Sequence, residues 1–253
     1  MQAEAINSLA ALLDTFTLHE EGEKEWMEAL ELFRILAASN PDENNGVVAK
    51  ILNNLAVLHY KQARYTEAEK EFLEALEIRR KLAAFNPEEY DEDVADTLHN
   101  LAGLHYKQDR YTEAEKEYME TLEIRRKLAS INPEEYGGDL ASTLNNLAAL
   151  YYGLTRFTEA EKELKEALEI RRKLAASNPE EYDEDVALTL RNIATLLQKD
   201  ETRLGEARDA VKESLDIYKK LAKSSPKRWK RDVKDAQELL DGINQVLSDR
   251  LHG

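Results

Sequence analysis

Apolar residues recur along this chain with the period of a helix. Leu52, Leu55, Ala56 and His59 fall at i, i+3, i+4 and i+7 and so share one face. A second stripe follows in Ala68, Phe72, Ala75, Leu76 and Leu82. Between the stripes, Thr66-Glu67-Ala68-Glu69 reads as a capping box, in which the Thr hydroxyl and the Glu carboxylate satisfy free N–H groups at a helix start. Thr112 with Glu115 and Thr158 with Glu161 repeat it. The second helix is expected to end before Asn86-Pro87, because the residue preceding a proline avoids the helical region. Asp93, Asp139, Asp185 and Asp232 each precede an apolar helix start and are expected as N-caps. Tyr90, Tyr136, Tyr182 and Trp229 are then linker aromatics that plug the gap between adjacent helix pairs.

The pattern is a repeat. Leu55-Ala56-Val57-Leu58-His59-Tyr60 returns as Leu101-Ala102-Gly103-Leu104-His105-Tyr106 and as Leu147-Ala148-Ala149-Leu150-Tyr151-Tyr152, each 46 residues on. Weaker copies start at Leu9-Ala10 and Ile193-Ala194. The same step separates Asn40-Pro41, Asn86-Pro87, Asn132-Pro133 and Asn178-Pro179, whereas Ser225-Pro226 follows after 47, which puts one inserted residue near Asp200. Alanine holds one register position in all five copies (Ala10, Ala56, Ala102, Ala148, Ala194) and a second in four (Ala68, Ala114, Ala160, Ala207, with Gly22 in the first), as close helix approach requires. No unit can bury both faces alone, so neighbours must stack. The expected fold is all-α: a single solenoid domain over residues 1–253. Its five helix-turn-helix units cover about 1–46, 47–92, 93–138, 139–184 and 185–231. A capping helix follows over 232–251, with Asp241 where other units carry alanine.

Asn100-Leu101-Ala102, Tyr106-Lys107-Gln108, Tyr111, Ala114, Tyr118 and Thr121-Leu122 together resemble the tetratricopeptide repeat signature, with Ala102 in place of its glycine. The second helix runs on through Ile124-Arg125-Arg126-Lys127-Leu128, and this extended form is similar to the repeats of kinesin light chain. Leu52-Asn53-Asn54-Leu55-Ala56 and Ala75-Leu76-Glu77-Ile78-Arg79 carry that likeness, which covers about residues 1–232. It implies a right-handed superhelix whose first helices line a concave groove for extended peptides.

With Leu55, Ala56 and His59 inward, the opposite side of that helix carries Asn53, Asn54, Val57, Tyr60 and Lys61. The equivalent sets are His99, Asn100, Gly103, Tyr106 and Lys107; then Asn145, Asn146, Ala149 and Tyr152; then Arg191, Asn192, Thr195 and Lys199. Asn54, Asn100, Asn146 and Asn192 are expected to stack as a ladder. Each amide offers donor and acceptor to a peptide backbone whatever the peptide's sequence, and the resemblance implies that use. The tyrosines add rigid contact area. The competing reading is structural: the asparagines bond neighbouring helices or persist by duplication. Ser8 and Asp14 break the pattern in the first unit, so the groove should centre on units two to four.

Composition removes other functions. A net charge of −16 argues against general nucleic-acid binding. Lys219 to Lys234, with eight Lys or Arg against Asp232, is the exception, either a solvated edge or an anchor for an acidic partner. There is no cysteine, and no apolar run of the ~20 residues a membrane helix needs. The first residues do not read as a signal peptide, and the expected location is cytoplasmic. Of the histidines His19, His59, His99, His105 and His252, His59 and His105 are read as packing residues, and His99 lacks a second ligand at metal spacing. The Glu-rich stretch Glu67 to Glu77 reads as a solvated face with i,i+4 Lys pairs. The pairs Arg79-Arg80, Arg125-Arg126 and Arg171-Arg172 are expected to meet nearby linker carboxylates, with an anionic-ligand site as the alternative. No nucleophile elbow or phosphate loop is present, so neither catalysis nor a metal or cofactor is expected. The expected function is a protein-interaction scaffold or adaptor that binds an extended peptide of a partner protein. The alternative is a self-associating module without a groove ligand, and neither nucleic acid nor membrane is an expected partner.

Overall fold

The computed structural model describes residues 20–252, so the expected first helix of unit one, with Ser8, Leu9, Ala10, Asp14 and His19, lies outside them. Among the described residues the chain is all helix and turn, and the helices come in pairs. They are α1 (Glu20–Ser39), α2 (Pro41–Lys61), α3 (Tyr65–Phe85), α4 (Pro87–Lys107), α5 (Tyr111–Ile131), α6 (Pro133–Gly153), α7 (Phe157–Ser177), α8 (Pro179–Leu197), α9 (Leu204–Ser224) and α10 (Pro226–His252). A short 3₁₀ helix, Glu201–Arg203, precedes α9. The chain divides into two compact units, Met1–Ile124 and Arg125–Gly253.

Proline punctuates this chain more tightly than expected. It ends one helix and occupies the first turn of the next, where its missing N–H costs nothing. α4, α6 and α8 therefore begin at Pro87, Pro133 and Pro179 with Asn86, Asn132 and Asn178 as N-caps. Acidic pairs such as Glu88 and Glu89 fill their first turns, where the helix dipole favours them. Asn132 accepts from the Glu135 backbone N–H at 3.3 Å and donates to its carboxylate at 2.7 Å, whereas Asn86 and Asn178 make only the bond to the carboxylates of Glu89 and Glu181. Asp93, Asp139 and Asp185 lie inside these helices and cap nothing, and the tyrosines sit in the helix rather than in a linker. Tyr90 still packs across the boundary between successive helix pairs, since a Cβ on Gly46 would lie 3.7 Å from its ring, and Tyr182 stands in the same relation to Gly138.

The turn within each pair is a left-handed residue: Ala63, Asp109 and Thr155 have φ of 60°, 59° and 58°. Arg64, Arg110 and Arg156 then donate their backbone N–H back to the carbonyls of His59, His105 and Tyr151 at 2.8–2.9 Å, a Schellman-type closure. The second helix starts at Tyr65, Tyr111 or Phe157, which places Thr66, Thr112 and Thr158 inside it, and the expected capping box does not form. In the last pair the inserted residue replaces this turn by the 3₁₀ segment, with Asp200 accepting from the Thr202 N–H at 2.9 Å.

Close helix approach is carried by the alanines. Ala56, Ala68, Ala102, Ala114, Ala160, Ala194 and Ala207 are all 0% exposed. A different device joins successive pairs. Arg79 is buried and donates to the Thr97 hydroxyl (2.6 Å) and the Asp93 carbonyl (2.9 Å), and it meets the Asp93 carboxylate at 3.0 Å. Arg125 with Thr143 and Asp139, and Arg171 with Thr189 and Asp185, repeat the arrangement. The outer registers change: Phe33, Val47 and Ile51 stand there at the start, and Tyr218 and Ala236 at the end, where Asp232 is kept. The arginine pairs are thus split. The first of each is a buried inter-pair bolt, while Arg80, Arg126 and Arg172 meet Glu120, Glu166 and Glu213 on the next second helix.

Candidate peptide-binding surface

The outer side of each first helix presents the residues that the pattern selected. On α2, Asn53, Asn54 and Tyr60 are half-buried and Lys61 is exposed; on α4, His99, Asn100 and Tyr106 are half-buried and Lys107 is exposed. Tyr60, Tyr106 and Tyr152 each lean on the first aromatic of the next helix, Tyr65, Tyr111 and Phe157, at 5.7–5.9 Å between ring centres. That contact fixes the ring while leaving part of it to solvent. Burial pushes the Tyr60 hydroxyl above its usual pKa, which keeps it a neutral donor. His99 packs edge-on against Tyr118 at 5.6 Å, and a Cβ on Gly103 would lie 3.7 Å from the Tyr118 hydroxyl.

In the unit 125–253 these residues enclose a concavity. Asn145, Tyr152 and Asn192 line it with Ala148, Ala149, Leu164, Thr195 and Leu196, around about 120 Å³. Asn192 donates its amide to the Asn145 carbonyl oxygen at 3.0 Å. The bond joins Asn192 to Asn145, the residue that precedes its register mate Asn146. The bond leaves the Asn145 amide as a donor and the Asn192 carbonyl oxygen as an acceptor, side by side at an apolar hollow. In the other unit, the Oδ1 atom of Asn53, the equivalent of Asn145, is buried without a hydrogen-bond partner. The Lys199 ammonium sits 5.7 Å from the Tyr152 ring centre.

Arg191 pairs with Asp232 at 3.5 Å and lies 5.8 Å from the Tyr218 ring centre, at the junction where tyrosine has replaced the buried arginine. The basic stretch from Lys219 is partly neutralised too, by Lys220 with Asp183 (2.8 Å) and Arg228 with Glu184 (2.9 Å). His59 and His105 do more than pack. His59 lies between Glu71 (2.7 Å) and Glu23 (3.2 Å), and His105 between Glu117 (2.8 Å) and Glu69 (3.1 Å). Arg64 and Arg110 share Glu23 and Glu69, so part of the Glu-rich face is an inter-pair network rather than a solvated surface. The pattern missed Leu164. Its register mates are Phe72 and Tyr118, and that drop in side-chain size is the readable signal for a hollow. Among the described residues no group of three or more His, Cys, Asp or Glu could hold a metal ion, and no helix there is long and apolar enough to cross a membrane.

The tetratricopeptide repeat family profile matches residues 47–127, 93–173 and 139–220, more than half of the chain in overlapping steps of 46. The chain belongs to the tetratricopeptide repeat family. Sequence comparison with curated proteins finds no significant match. Among solved structures it is similar to BtubC (BKLC) from P. vanneervenii, at 21% identity over 93% of this chain and 92% of that one, with a TM-score of 0.61. It is also similar to the apo form of RapI, at 20% identity over 91% and 80%, TM-score 0.63. A putative kinesin light chain from Podosopora anserina with nearly identical TPR-like repeats matches at 15% identity over 81% and 96%, TM-score 0.52. At these identities the likeness carries the fold alone.

Proposed function

We propose that this chain is a protein-interaction scaffold whose first-helix face binds an extended peptide segment of a partner protein. The Asn145–Asn192 pair above its apolar hollow is the observation that supports this most directly. A peptide backbone needs a donor and an acceptor together, and a side chain needs somewhere to go. The half-buried tyrosines and exposed lysines of α2 and α4 offer the same chemistry in the other unit. A cytoplasmic setting fits the absence of cysteine from the sequence, and no step of this reading requires a cofactor. Peptide-display selection on the wild type beside an Asn145→Ala/Asn192→Ala variant tests it, once the variant shows an unchanged helical melt. A motif enriched on the wild type and lost on the variant is the expected result. Equal enrichment on both, or none on either, rules this site out.

A further inference from the structure

The opposite, second-helix face of residues 20–124 carries a pattern that peptide binding does not use. Met27, Leu73 and Met119 occupy one register on α1, α3 and α5, and they are 57%, 48% and 49% exposed. Arg34 pairs with Glu74 and Arg80 with Glu120, which sets the three helices side by side and the three side chains in a row. Three residues before each lies a lysine (Lys24, Lys70, Lys116), and four residues after each a glutamate (Glu31, Glu77, Glu123), all exposed. An apolar row thus runs between a positive row and a negative one. Lys70, Lys116, Glu31 and Glu123 have no ion-pair partner among the described residues, while Lys24 and Glu77 make only exposed i,i+4 pairs with Glu28 and Lys81. The row ends where the sequence places Lys165 and Lys212 at the same register.

We propose that this face is a homodimer interface, with two copies meeting about a two-fold axis that runs along the apolar row. That axis sets Met27, Leu73 and Met119 each against its own copy. It also reverses the helix direction across the interface, so the lysine row of one protomer lies on the glutamate row of its partner. An axis along the helices would put lysine on lysine, so charge selects the first arrangement. Three helices about 10 Å apart and about 30 Å long present on the order of 900 Å², near the ~800 Å² per partner of a stable interface. A second copy is the partner that this mirror-ordered face fits without further assumption.

The chain has no cysteine, so single cysteines report cleanly. Leu73→Cys should form a disulfide-linked dimer under mild oxidation, and Lys212→Cys should not. In a sedimentation dilution series the wild type should dimerise. Leu73→Lys and Met119→Lys, each with an unchanged helical melt, should weaken association at least ~tenfold. Lys70→Glu/Lys116→Glu should weaken it as well, and adding Glu77→Lys/Glu123→Lys should restore it. A wild type that stays monomeric up to its solubility limit, a dimer indifferent to Leu73→Lys, or a charge swap that fails to rescue overturns the proposal. Peptide capture by the first-helix face is read separately and survives any of these outcomes.

Discussion

At the scale of single residues, the buried polar groups make the sharpest predictions. Burial draws both members of the Arg79–Asp93 pair toward neutrality, holding Asp93 above the usual carboxylate range and Arg79 below its own. The Arg79 side chain is 6% exposed and that of Asp93 44%, so removing the carboxylate strands a buried charge. Asp93→Ala should therefore cost about 3–5 kcal/mol in denaturant unfolding. Arg79→Phe with Asp93→Val and Thr97→Ile, which copies the set Phe33, Val47 and Ile51, should recover most of that loss. His105 makes a pH prediction. Both its ring nitrogens face carboxylate oxygens, which only accept, so the imidazolium satisfies both contacts. Burial opposes that charge, but Glu117 and Glu69 outweigh it against the neighbouring Arg110, and the His105 pKa rises. Glu113 also lies within its field. A raised folded value means the stabilisation is complete below the unfolded pKa of ~6.5 and is lost as pH rises through the folded value. The melting temperature of the wild type should fall more across that window than that of His105→Leu; parallel curves would show that the charge contributes nothing.

At the scale of elements, the left-handed turn is strained wherever it lacks glycine. Thr155 is β-branched at φ 58°, so Thr155→Gly should raise stability by about 1 kcal/mol in thermal unfolding, and Ala63→Gly by less. The helices were legible from the 46-residue period and the two apolar stripes, because helix pairing depends on where small and large apolar residues recur. Their starts were not. Asn-Pro reads as a stop, but with Pro87 in the first turn and Glu88 and Glu89 beside it the same dipeptide begins α4, two turns before the apolar stripe at Val94. The buried bolt was half legible. Arg79, Arg125 and Arg171 stood out as repeated pairs, yet the pattern gave their partner Thr97 no role. What betrays it is loss in step, since threonine disappears from the register at Ile51 and Ala236 where Phe33 and Tyr218 replace arginine.

At the scale of the whole molecule, tetratricopeptide repeat membership and all-helical architecture follow from one repeated solution to close packing, and the proposed function rests on where the copies differ. The choice of asparagine at the 53- and 54-type registers was visible in the sequence. The hollow was not, because it depends on Leu164 of one helix facing Asn145 and Asn192 of two others. Leu164→Phe restores the side chain that Phe72 supplies in the second pair, so the fold should accept it with its melting temperature held or raised. The most direct measurement is the affinity of a peptide enriched on the wild type for this single variant. Binding at least ~tenfold weaker, about 1.4 kcal/mol, is the predicted result and would show that the peptide's side chain occupies the hollow. Undiminished affinity would contradict the account and move the binding surface elsewhere on the molecule.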